Sequence, residues 1–127
     1  MSVNLGVFNE GGDLRFTAVL KDKAGVFIPF TSLSLLTLTV YAAIPGEPIV
    51  NGIDHVGILN VGRGTVDSFG NHTVTLSGAN GDMNIVGPRS TASDFEEQHI
   101  MLFEWLTTGG ESGNDDPYFF VQPVIRR

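Results

Sequence analysis

Residues 98–106 hold the only tryptophan and the densest run of large apolar side chains in the sequence. Odd positions carry His99, Met101, Phe103 and Trp105. Even positions carry Ile100, Leu102, Glu104 and Leu106. An extended chain here is mostly apolar on both faces, so it must be covered on both sides and belongs at the centre of a sheet. The run is short for a helix, and Thr107, Thr108, Gly109 and Gly110 end it at once.

The remaining segments read as partners for this strand. Residues 13–20 alternate, with Leu14, Phe16, Ala18 and Leu20 on one face and Asp13, Arg15, Thr17 and Val19 on the other. Residues 35–43 do the same: Leu36, Leu38, Val40 and Ala42 oppose Thr37, Thr39 and Tyr41, a pleated and half-exposed face. Residues 72–77 form a third alternating strand. Residues 118–122 make the last one, joined to 98–106 as a hairpin across a polar loop at 107–117. The long connection 44–64 is broken at Gly46, Gly52 and Gly57 and predicts a weak strand near 58–61. The segment 77–90 predicts one helical turn crossing between sheets, with Met83 and Ile85 plugging the core. Trp105 is expected to fill the gap between the sheets.

Turn signals recur every roughly 8–12 residues and no helical period appears, the pattern of a β-sandwich. The expected fold is all-β: a single immunoglobulin-like β-sandwich of about seven strands. The sandwich covers 13–123, with 1–12 as an N-terminal arm or first strand and 124–127 as a C-terminal tail.

Composition narrows the partners. Among 127 residues, 14 are acidic and 7 basic, a net charge of −7 that argues against a nucleic-acid backbone as partner. The only basic pair in tandem is Arg126 and Arg127. No run is long and apolar enough for a membrane helix. The first residues lack the pattern of a signal peptide, so synthesis in a cytoplasm is expected. With no cysteine, packing and strand pairing must supply the stability.

The chemistry-bearing residues do not assemble into a catalytic motif. His99 with Glu96 and Glu97 offers too few ligands for a zinc site, and reads better as a histidine at a strand start bonded to a carboxylate or to backbone. Asp54 and His55 lack a nucleophile in an elbow context. Glu111, Asn114, Asp115 and Asp116 are oxygen donors without EF-hand spacing, a solvated hairpin tip. The glycines at 62, 64, 109 and 110 lack the lysine of a phosphate loop. The sequon at Asn71 has no secretory context. Neither a cofactor, a metal nor an enzymatic activity is expected.

The order of features carries a resemblance: Asp13, Leu14, Arg15 and Phe16; Leu36 through Tyr41; Gly64, Thr65, Val66 and Asp67; the run from Glu97 to Trp105; and Tyr118, Phe119, Phe120 and Val121. Over about residues 13–122 the sequence resembles small immunoglobulin-like structural proteins of tailed bacteriophage virions. It also loosely resembles the N-terminal domain of phage baseplate upper proteins. The resemblance implies a non-enzymatic building block present in multiple copies, made in the host cytoplasm and resident in the virion. It would be a capsid decoration (cement) or head–tail neck component, bound to the major capsid protein or other virion structural proteins. Burial of apolar surface and addition of strands to exposed sheet edges would hold it there. The expected contact residues are Val3, Leu5, Val7 and Phe8 in the arm, Ile49, Val50 and Ile53 in the long connection, and Arg126 and Arg127 in the tail. The rival reading is a tail or baseplate module or a carbohydrate-binding adsorption module, with Tyr41 and residues 109–116 as the candidates for carbohydrate.

Overall fold

In the computed structural model, residues 3–90, 92 and 94–123 are described. Two sheets face each other. The larger has the order β1 (Asn4–Asn9), β9 (Tyr118–Gln122), β7 (Glu97–Thr107), β3 (Leu33–Ala42) and β4 (Val56–Gly57), with β8 (Ser112–Asp115) also on β7. The smaller has the order β2 (Leu14–Val19), β6 (Asn71–Leu76) and β5 (Gly64–Val66). This is the division of strands found in immunoglobulin sandwiches, with β2, β6 and β5 in one sheet and β3, β7 and β9 in the other.

β7 lies in the middle of the larger sheet, antiparallel to β3 on one side and to β8 and β9 on the other. Its pairings Phe103↔Asp115 and His99↔Phe119 keep one register, so β8 and β9 are a single line interrupted at Asp116 and Pro117. The polar loop expected over 107–117 is therefore shorter, because its second half pairs with β7. β1 runs parallel to β9 and closes that edge. Within the expected arm, Asn4–Asn9 thus contributes a first strand to the domain's own sheet.

The inward faces follow the two-residue period. Leu36, Leu38 and Val40 of β3, Met101 and Phe103 of β7, Phe119 and Val121 of β9, Leu14 of β2, and Val74 and Leu76 of β6 are buried together. A single turn of 3-10 helix at Gly78–Asn80 crosses between the sheets, and Met83 and Ile85 enter the core behind it.

Three expectations are corrected. The weak strand lies at Val56–Gly57, not 58–61, because the β3 edge is reached there by Thr37↔Gly57 and Leu38↔Val56. Thr37 and Thr39 are buried, not half exposed: the connection folds back, and the His55 N–H donates to Thr39 Oγ1 at 3.0 Å. The outward face of β7 is only half covered, with Ile100 and Leu102 partly buried and Leu106 exposed. No further layer lies over it among the described residues.

Candidate functional site: a rigid apolar tip

Three connections meet at one end of the sandwich: residues 20–32 between β2 and β3, 67–70 between β5 and β6, and 108–111 between β7 and β8. Two of them contain the same device. Asp22 Oδ1 accepts from the N–H groups of Ala24 and Val26, both at 2.9 Å, while the Gly25 N–H donates to the Asp22 carbonyl at 3.0 Å. Asp67 Oδ1 accepts from Phe69 and Asn71, at 2.8 and 2.9 Å, while the Gly70 N–H donates to the Asp67 carbonyl at 3.3 Å. In each, the Asp N–H donates to the carbonyl four residues on. The glycine takes φ of +79° at Gly25 and +82° at Gly70, a left-handed conformation that suits only residues without a side-chain clash.

Hydrogen bonds then tie the loops to one another. Phe30 N–H reaches the Asp67 carbonyl at 3.1 Å, Lys23 N–H reaches Glu111 Oε1 at 3.0 Å, and Thr108 N–H reaches the Ser32 carbonyl at 2.9 Å. Gly70 sits so close that a Cβ there would lie 3.0 Å from the Ile28 carbonyl oxygen. On this braced frame stand Val26, Phe27, Phe30 and Phe69, with exposures of 60%, 54%, 42% and 68%. Leu35, Leu106 and Val19 are exposed at the same end. Lys21 Nζ stands 5.8 Å from the centre of the Phe27 ring. Apolar side chains gathered on loops at one end of a domain mark an interaction surface, since scattered single ones are the norm. Aromatic anchors on a stiff frame lose little conformational entropy on binding.

Sequence reasoning missed this tip. None of the expected contact residues includes the phenylalanines of these loops. The repeated spacing of Asp22 to Gly25 and Asp67 to Gly70 was the available signal.

The expected contact residues scatter. Val3 and Val7 are exposed along the β1 edge, Leu5 packs partly against the core, and Phe8 meets Phe119 edge-on at 5.9 Å. Ile49 is exposed and bridges to Tyr41. Val50 and Ile53 are core residues with 0% exposure, a correction to their expected place at a contact surface. The cause is backbone pairing: Val50 N–H donates to the Val40 carbonyl and Val40 N–H to the Ile53 carbonyl, each at 2.8 Å, which turns both side chains inward. Arg126 and Arg127 lie outside the described residues.

The buried ionisable groups serve the fold. His99 Nε2 lies 2.6 Å from Glu97 Oε1, both buried. Burial pushes the Glu97 carboxyl up, but the Val86 N–H, His99 and the Gly87 N–H outweigh it and hold it below the usual carboxylate range. Burial lowers His99, with Glu97 opposing. The pair anchors residues 86–87 to β7. Asp82, fully buried, accepts from Arg63 Nε and Nη2 at 2.9 and 2.8 Å, from Asn51 Nδ2 and from the Ser77 N–H. Burial raises Asp82, and these donors reverse it to a lowered value. His55 is exposed between Asp54 at 2.6 Å and Glu104 at 3.1 Å. Among the described residues no group of three or more metal-ligating side chains comes together.

Compared with known proteins, the chain matches no family model and no curated protein.

Proposed function

We propose that the protein is a non-enzymatic structural protein of a tailed-bacteriophage virion, a capsid decoration or head–tail neck component. It grips neighbouring virion proteins with the three-loop tip. The observation that supports this reading is the tip itself: Phe27, Phe30 and Phe69 exposed on loops braced by reciprocal hydrogen bonds. The resemblance of residues 13–122 to small virion proteins supplies the class of partner. Burying three aromatic rings contributes roughly 1.5–3 kcal/mol each, enough to matter when many copies bind a particle.

The test is immunogold electron microscopy of particles from the host that carries the gene, with antibody raised against the purified protein. Label over the head supports a decoration protein, and label at the junction of head and tail supports a neck component. Label confined to the tail tip would move the protein to adsorption. Absence of label from every particle would overturn the virion reading.

A further inference from the structure

The outer face of the smaller sheet carries an ordered array that the tip does not explain. In one row across the three strands, Arg15 of β2 pairs with Thr75 of β6, and the Thr75 N–H donates to the carbonyl of Arg63 beside β5 at 3.0 Å. In the next row Thr17, Thr73 and Thr65 stand side by side. Thr17 Oγ1 and Thr73 Oγ1 are 3.2 Å apart. Arg15, Arg63, Thr65, Thr73 and Thr75, with Ser77, line a groove of about 570 Å³, a volume suited to a small ligand.

The charge in the groove is unusual for this chain. The protein is acidic overall at −7, yet no carboxylate is among the side chains lining the groove. Arg63 is held from behind by buried Asp82, which takes one N–H from Nε and one from Nη2. A guanidinium has five N–H donors, so three of them remain for a ligand. Arg15 is exposed and makes no ion pair or side-chain hydrogen bond among the described residues. Adjacent strands lie about 4.8 Å apart, so the two arginines stand about 10 Å apart at their Cα atoms with the threonine row between them. Long arginine stems can converge from that separation on one carboxylate, which a guanidinium recognises with two parallel hydrogen bonds.

We propose that this groove binds an acidic sugar, with the carboxylate of a uronate unit held by Arg15 and Arg63 and the ring hydroxyls met by Thr65, Thr73, Thr75 and Ser77. With Arg63 neutralised by Asp82, the groove offers one uncompensated positive charge, which matches a singly charged ligand. No aromatic ring lines it on which a nucleobase could stack. A polyanion would meet the repulsion of the remaining acidic surface.

Titration of the ¹⁵N-labelled protein with D-glucuronate, glucose and inorganic phosphate, followed by amide shifts, tests the assignment. Glucuronate is expected to move the amides of Gly64, Thr65, Thr73 and Thr75, and glucose to do so at least about tenfold more weakly. Arg15→Ala, at an exposed position, is expected to keep the fold and to weaken glucuronate about tenfold. Equal binding of glucose would overturn the carboxylate clamp. Equal binding of phosphate would overturn the sugar, leaving a simple anion site. Absence of shifts with glucuronate, or an Arg15→Ala variant that binds as well as the parent, would overturn the proposal altogether.

Discussion

Phe16 of β2 and Phe103 of β7 stack across the gap between the two sheets, ring centres 5.6 Å apart and planes inclined by 21°. His72 of β6 stands edge-on to both, 5.7 Å from Phe16 and 5.1 Å from Phe103. In antibody domains a disulfide links the corresponding two strands. This cysteine-free chain joins its sheets at the same place with three rings. Phe103→Ala should therefore cost about 3–5 kcal/mol, the range for emptying a buried aromatic site. Urea unfolding followed by circular dichroism measures it. A loss below about 1 kcal/mol would mean that the ring triad is not what holds the sheets together.

Acid should weaken the fold through His72. Burial lowers its pKa to about 4, against about 6.5 in the unfolded chain. Below pH 6.5 the unfolded state binds the extra proton, so this contribution is complete above 6.5 and is lost as the pH falls towards 4. At about 1.4 kcal/mol per pH unit and proton, the loss across that window is about 3 kcal/mol. His99, also lowered by burial, acts in the same direction. Unfolding free energies at pH 7.5, 6 and 4.5 should fall less steeply for His72→Leu than for the parent. Parallel curves would contradict a neutral buried imidazole.

Asp82→Ala should destabilise by about 2–4 kcal/mol. The change leaves the Ser77 N–H without its acceptor, removes one of the two acceptors of Asn51 Nδ2, the Asn80 carbonyl being the other, and frees Arg63, which is partly exposed and can turn to water. Thermal unfolding gives the number. A melting temperature unchanged within error would show that the network adds nothing net.

Gly113→Ala should perturb Trp105 directly. A Cβ at Gly113 would lie 2.5 Å from Trp105 Cε2 and Cζ2. The indole must swing away, at about 1–3 kcal/mol, and its fluorescence should move to the red as it meets water. An emission maximum identical to the parent's would refute this packing.

The combined variant Phe27→Ser, Phe30→Ser, Phe69→Ser should stay folded, with a change within about 0.5 kcal/mol per site because these rings are already in solvent. It should fail to appear on particles in the immunogold experiment. A collapse in stability would identify the rings as core, and full labelling would move the docking surface elsewhere.

Much of the sandwich was legible because its strands obey a strict period of two. Leu14, Phe16, Leu38, Val40, Val74 and Leu76 each fall on the face that the alternation assigns. Val50 and Ile53 were not legible as core, since an apolar residue in a glycine-broken connection reads the same whether it turns inward or meets a partner. Only the ladder to Val40 decides between the two, and that contact joins distant segments. The tip hid for a related reason. Phe27 and Phe30 lie in one connection and Phe69 in another, and their gathering at one end follows from antiparallel topology, not from spacing along the chain. The groove is a similar case: Arg15 and Arg63 become neighbours of Thr75 only when β6 lies between β2 and β5.

β1 and β9, the first and last strands among the described residues, are hydrogen-bonded to each other in parallel. A tension applied through the residues flanking them draws the two strands along their length in opposite senses. The ladder between them is then sheared, and its hydrogen bonds must give way together and not one after another, as they would in an antiparallel pair peeled from its end. The domain is thus built to resist stretching along this pair of strands better than its modest size suggests.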